Sequence, residues 1–152
     1  MGIKEMLGLA EEALGLTWGV KLKAIIDEIV VKNIELIPKE NFQVAEKILK
    51  DLIPLIETQK FDDALQTTCG NIASAFKNAN NLRGKFSEAA MIHIRSIKNM
   101  SKQALKGKKH VETIYKSEGK FRTELVVSLK KLAGHMREYA LKAEAIEKTK
   151  VS

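Results

Sequence analysis

Leu125, Leu129, Leu132, Met136, Tyr139, Ala143 and Ile146 follow one another at steps of 4, 3, 4, 3, 4 and 3 residues. Only a helix, at about 3.6 residues per turn, brings side chains so spaced onto one face. The same periodicity runs through nearly every segment, and no stretch alternates convincingly at period two. Two prolines and nine glycines in 152 residues supply too few turns for a β-sandwich. The expectation is an all-α fold: an antiparallel four-helix bundle with an additional amphipathic N-terminal helical segment. A single domain is expected, with residues 1–20 as that segment, 21–148 as bundle core and 149–152 as a tail.

Along the chain, Ile3, Leu7, Ala10, Leu14 and Thr17 form the first stripe, which Leu9 and Leu16 broaden. Gly2, Gly8, Gly15 and Gly19 weaken that helix by roughly 1 kcal/mol each relative to alanine. Leu22, Ile25, Ile26, Ile29, Val30 and Ile37 continue the pattern up to Pro38. A helix from Asn41, read as its N-cap, buries Val44, Ala45, Ile48, Leu49, Leu52 and Ile56. Pro54 inside it predicts a bend or interruption. A third helix is expected over about 62–80, with Asp62 and Asp63 in its first turn. A fourth runs from about Lys85 to Leu105 and stops at Gly107, and the last covers roughly 110–148 with a break near Gly119.

Charge is divided unevenly. Residues 1–82 hold nine Lys/Arg against twelve Asp/Glu, a net −3, whereas 83–152 hold seventeen against seven, a net +10. A basic half favours an anionic partner, nucleic acid or a lipid surface, although basic faces also simply keep bundles soluble. The candidate anion-binding surface is Lys106, Lys108, Lys109, Lys116, Lys120, Arg122, Lys130 and Lys131. Base readout needs planar donors or stacking partners. Only four arginines occur, and Trp18, Tyr115 and Tyr139 are scattered, so sequence-specific recognition is weakly supported.

The catalytic inventory is thin. His93, His110 and His135 lie far apart, and neither His-Glu-x-x-His nor Glu-x-x-His spacing occurs, so no metal site is expected. Cys69 lies on an apolar stripe and reads as a core residue. Asp27–Glu28 and Asp62–Asp63 are adjacent pairs whose side chains diverge around a helix. No phosphate-cradling glycine loop follows a strand. Neither an enzyme nor a cofactor is expected. Glu11 and Glu12 interrupt the N-terminal apolar stretch, which makes it a poor signal peptide, and Met6 breaks the myristoylation pattern.

Residues 20–57 carry a family resemblance. The run Val20-Lys21-Leu22-Lys23-Ala24-Ile25-Ile26-Asp27-Glu28, then Phe42, then Ala45-Glu46-Lys47-Ile48-Leu49-Lys50-Asp51-Leu52-Ile53-Pro54-Leu55-Ile56-Glu57 resembles the N-terminal coiled-coil domain of plant helper immune receptors. These domains are related to the broad-spectrum powdery-mildew-resistance proteins, and Leu49–Ile56, proline included, is the segment most like them. The resemblance implies a four-helix bundle akin to the HeLo-type domains of cell-death effectors. It implies a cytoplasmic protein that relocates to the plasma membrane, associates with anionic lipids, self-associates and forms a cation-permeable pore through its first helix. Partner immune proteins are also implied. On that reading Leu7, Leu9, Leu14 and Leu16 are the membrane-inserting face, and Glu5, Glu11 and Glu12 are candidate pore-lining acids. The alternative is a basic helical-bundle scaffold that binds nucleic acid or a partner protein.

Overall fold

The computed structural model describes residues 17–151, and these are all-helical. Six α-helices follow in order: α1 (Trp18–Val31), α2 (Lys39–Thr58), α3 (Gln66–Ala75), α4 (Glu88–Ala104), α5 (Lys108–Tyr115) and α6 (Glu118–Val151). Short 3₁₀ turns at Ile34–Leu36 and Ala79–Leu82, and an irregular turn at Phe61–Leu65, connect them.

Five helices pack in a closed ring, α1 on α2, α2 on α6, α6 on α4, α4 on α3 and α3 back on α1, while α5 packs beside α4 and α6. Cross-helix contacts give the directions. Lys39 meets Glu147 and Ile56 meets Arg122, so α2 and α6 are antiparallel. Ser87 meets Tyr139 and Ser96 meets Ser128, which makes α4 and α6 antiparallel as well. Gln66 meets Ala104, and Lys77 meets Lys98, across α3 and α4. Gly19 instead approaches Asn71 while Asp27 bonds to Asn78, so α1 and α3 run parallel. The all-α expectation holds among the described residues. The helices there number six rather than four, and one neighbouring pair is parallel.

The 125–146 seam is the spine of the core. Leu125, Leu129, Leu132, Met136, Tyr139 and Ala143 are buried, and Ile146 is half-buried. They meet Phe42, Ala45, Leu49, Leu52 and Ile56 of α2, and Ala90, Ile94 and Ile97 of α4 complete the interior. Aromatic clusters close both ends of the α2–α6 pair. Phe86 stacks on Tyr139 at 4.5 Å with Phe42 at 5.8 Å, and Phe121 contacts Phe61 and Tyr115 at 5.7 and 5.2 Å. Such rings contribute large buried area and about 0.5–1.5 kcal/mol per pair beyond it.

Several local expectations are corrected. Helix α2 starts at Lys39, and Asn41 is not its cap: the side chain is buried and donates to Glu28 Oε2 at 2.7 Å. Pro54 lies within α2 without ending it. Its ring is on the exposed face, so the Lys50 carbonyl it leaves without a partner can turn to water. Val44 is half-buried rather than core. The first helical pattern stops at Val31, short of Pro38, and α3 starts at Gln66 rather than 62. Helix α4 ends at Ala104 with Leu105 as its cap, and Gly107, at φ 101°, stands two residues further on as the N-cap of α5. The α5–α6 break falls at Lys116, whose φ is 78°, while Gly119 lies inside α6.

Candidate functional site

Long-range side chains close the helix ends, and this decides which cations remain available. A helix C-terminus leaves carbonyls unpaired and carries partial negative charge. Lys85 Nζ donates to the carbonyls of Ile29 and Lys32, both at 2.7 Å, and also to that of Val30, at the end of α1. Arg122 Nη1 donates to the Ile56 carbonyl at 2.8 Å near the end of α2. Lys98 Nζ donates to the Lys77 carbonyl at 3.1 Å, just past α3. The N-termini take acids in return. Glu147 accepts from the Lys39 backbone N–H at 3.2 Å, and Asp62 accepts from that of Lys108 at 3.0 Å. Asp62 therefore serves the start of α5, not the first turn of the third helix.

This pattern divides the eight candidate anion-binding residues. Arg122 faces inward. Besides Ile56 it bonds to Glu118 through Nε and Nη2 and stands 5.8 Å from the Phe61 ring centroid. Lys108 pairs with the same Glu118 at 3.3 Å. The Arg122 hydrogen bond, opposed by burial and helped by Lys108, holds the Glu118 carboxyl below its ordinary range. Arg122 is not free to serve a ligand without disturbing the fold, and Lys108 is partly engaged at the surface. Lys106, Lys109, Lys116, Lys120, Lys130 and Lys131 are exposed, with no hydrogen bond or ion pair from their ammonium groups among the described residues.

Four of these six, Lys106, Lys109, Lys116 and Lys120, cluster where α4 ends, α5 crosses and α6 begins. Exposed apolar side chains accompany them. Leu105 and Ile114 are each 48% exposed, and Val127 is 46% exposed. Val127 also borders two shallow clefts, one shared with Glu57, Gly119 and Lys130, the other with Met100, Tyr115 and Ser128. The chemistry on offer is a set of exposed ammonium groups at this end of the bundle, with partly exposed apolar side chains on the same elements.

The proposed membrane face, Leu7, Leu9, Leu14 and Leu16, and the proposed pore-lining acids, Glu5, Glu11 and Glu12, lie outside the described residues. No described helix is long and apolar enough to cross a membrane.

Cys69 is fully buried, and burial pushes its thiol up to about 12, so it stays protonated at neutral pH. No cluster of three His, Cys, Asp or Glu side chains able to hold a metal occurs among the described residues. The fold does bring His93 and His135 together, with ring centroids 6.3 Å apart. Burial first, then His135 and Lys131, lower the His93 pKa. No local pattern predicts that pair or the roles of Lys85 and Lys98, because each depends on which helices become neighbours. No family model, curated protein or solved structure matches the chain.

Proposed function

We propose that this chain is a membrane-associating helical-bundle domain of cell-death or immune signalling, which oligomerises into a cation-permeable pore through its N-terminal segment. On this reading α2, α6, α4 and α3 are the antiparallel four-helix core, with α1 inserted between α2 and α3. The protein is cytoplasmic and moves to the plasma membrane on activation. Its partners are anionic lipids, further copies of itself and other immune proteins.

The observation that supports the reading best is the set of uncommitted lysines at the α4–α5–α6 corner, where Leu105 and Ile114 of the same segments are also partly exposed. Lysine stems lie along apolar surface while their ammonium groups reach anionic headgroups, and apolar neighbours enter the interface between them. Each cation near an anionic leaflet contributes about 1 kcal/mol. Lys106, Lys109, Lys116 and Lys120 together then contribute roughly 4 kcal/mol, about a thousandfold in partitioning. Nucleic-acid binding has less support. Of the four arginines, Arg122 is turned inward and Arg95 pairs with Glu88 at 3.0 Å, which leaves few planar donors for bases.

The test is co-sedimentation and dye release with vesicles of phosphatidylserine and phosphatidylcholine, against phosphatidylcholine alone. The full chain should bind and permeabilise only the anionic vesicles. Removing residues 1–16, which leaves α1 whole, should abolish release but keep binding. Replacing Lys106, Lys109, Lys116 and Lys120 by Glu should abolish both. Equal binding to neutral vesicles, or release that survives the truncation, would sink the pore reading. Binding to RNA or DNA with a steep salt dependence, and none to vesicles, would favour the scaffold instead.

A further inference from the structure

We propose that His93 and His135 form a two-imidazole site for a borderline transition-metal cation, Zn²⁺, Ni²⁺ or Cu²⁺, that clasps α4 to α6. The two rings come from antiparallel neighbours, and their planes are inclined by 30° with centroids 6.3 Å apart. Metal–nitrogen bonds of about 2.1 Å put each ring centroid roughly 3.2 Å from a bound metal. Two ligating imidazoles therefore have centroids at most about 6.4 Å apart, and about 5.2 Å at a tetrahedral angle. The observed separation falls within the upper bound, and a closure of roughly 1 Å through side-chain rotation reaches the tetrahedral value.

Both rings are half-buried, and neither makes a hydrogen bond to another described residue. Glu138 Oε2 stands 3.8 Å from His135 Nδ1. At that distance there is no hydrogen bond, but a carboxylate on that side favours a proton on Nδ1 and leaves Nε2 to ligate. The surrounding charges are few. Lys131, one turn before His135, opposes a cation and Glu138 favours it, while the positions one turn either side of His93 are Ala89, Ala90, Ser96 and Ile97. With two protein ligands the remaining coordination positions go to water, so the metal is exchangeable and its affinity is well below that of a closed structural site. Imidazole ligands select Zn²⁺, Cu²⁺ and Ni²⁺ over Mg²⁺ and Ca²⁺.

The test titrates the chelator-treated full chain with ZnCl₂, NiCl₂ and CuCl₂ in a calorimeter, alongside His93→Gln, His135→Gln and His110→Gln variants. One equivalent should bind to the wild type and to His110→Gln, whose imidazole is engaged by Gln103. Each of the other two variants should weaken binding by about 10- to 100-fold, with circular dichroism confirming that they fold. The electron paramagnetic resonance spectrum of the wild-type Cu²⁺ complex should show two nitrogen ligands, a readout that needs no variant. Unchanged binding in either His93→Gln or His135→Gln, a one-nitrogen spectrum, or no stoichiometric binding at millimolar metal would each overturn the proposal.

Discussion

Lys85 donates to the Ile29 carbonyl oxygen at 2.7 Å and so closes the end of α1 from 56 residues further along the chain. With Val30 and Lys32 it satisfies three carbonyls that the helix leaves open. A hydrogen-bonded charged donor contributes about 1.5–3 kcal/mol net, and this single half-buried ammonium is shared among the three carbonyls. Lys85→Met should lower unfolding free energy by about 2 kcal/mol in a urea titration. A change within 0.5 kcal/mol, roughly the range of an ordinary surface substitution, would show that water replaces the ammonium without loss.

Arg122 and Lys120 should separate cleanly. Arg122→Gln breaks the contacts with Ile56 and Glu118 and should destabilise the fold by about 2 kcal/mol. Lys120→Gln should leave the melting temperature unchanged while weakening binding to anionic vesicles. The two measurements together test whether the basic half divides into structural and available cations.

Acid should destabilise the fold in two windows. The His93 pKa is lowered from 6.5 by burial, His135 and Lys131, so between the folded and unfolded values the unfolded chain binds more protons. Its contribution is fully present above pH 6.5 and declines as pH falls through the lowered value. Glu118 follows at lower pH: its contribution is present above its unfolded value of 4.5 and is lost as pH falls through the depressed folded value. Urea titrations from pH 8 down to about pH 2, with chelator present, check this. His93→Gln should flatten the upper window, and Glu118→Gln the lower.

Cys69 should resist alkylation. Its buried thiol, pushed up to about 12, supplies almost no thiolate at pH 8. Iodoacetamide labelling followed by mass spectrometry should show modification only in denaturant, and rapid labelling of the native chain would contradict the burial.

Backbone substitutions have opposite signs at two sites. A Cβ at Gly134 meets nothing within 4 Å, so Gly134→Ala within α6 should stabilise by about 0.5–1 kcal/mol. Gly107 has a φ of 101°, and Gly107→Ala should destabilise by about 1 kcal/mol or more. Lys116→Gly, at φ 78°, should relieve strain of about 1 kcal/mol. Thermal melts of the three variants give the signs directly.

Much of the helical content is legible in the sequence because apolar spacing is a local property. The 125–146 seam becomes a buried stripe, Gly107 becomes a positive-φ link between α4 and α5, and Cys69 becomes core. Boundaries are less legible where two signals compete. Pro54 is a helix breaker by propensity, yet it falls on an exposed face where water can take the freed carbonyl. Asn41 has the right chemistry for a cap, but Glu28 claims its side chain across the α1–α2 interface. The break beside α5 escapes the glycine signal because Lys116, not Gly119, takes the left-handed conformation.

The candidate surface shows the same division. The sequence by itself determines that residues 83–152 carry a net charge of +10 and that 1–82 carry −3. It does not determine where those charges go, because charge composition says nothing about which helix ends become neighbours. Only the tertiary structure sends Lys85, Lys98 and Arg122 to the ends of helices in the acidic half, and leaves Lys106, Lys109, Lys116 and Lys120 facing solvent. It also sets His93 beside His135. The physical reason is one of range: helical periodicity acts over one or two turns, whereas capping and imidazole pairing act between elements that meet only when the ring of helices closes.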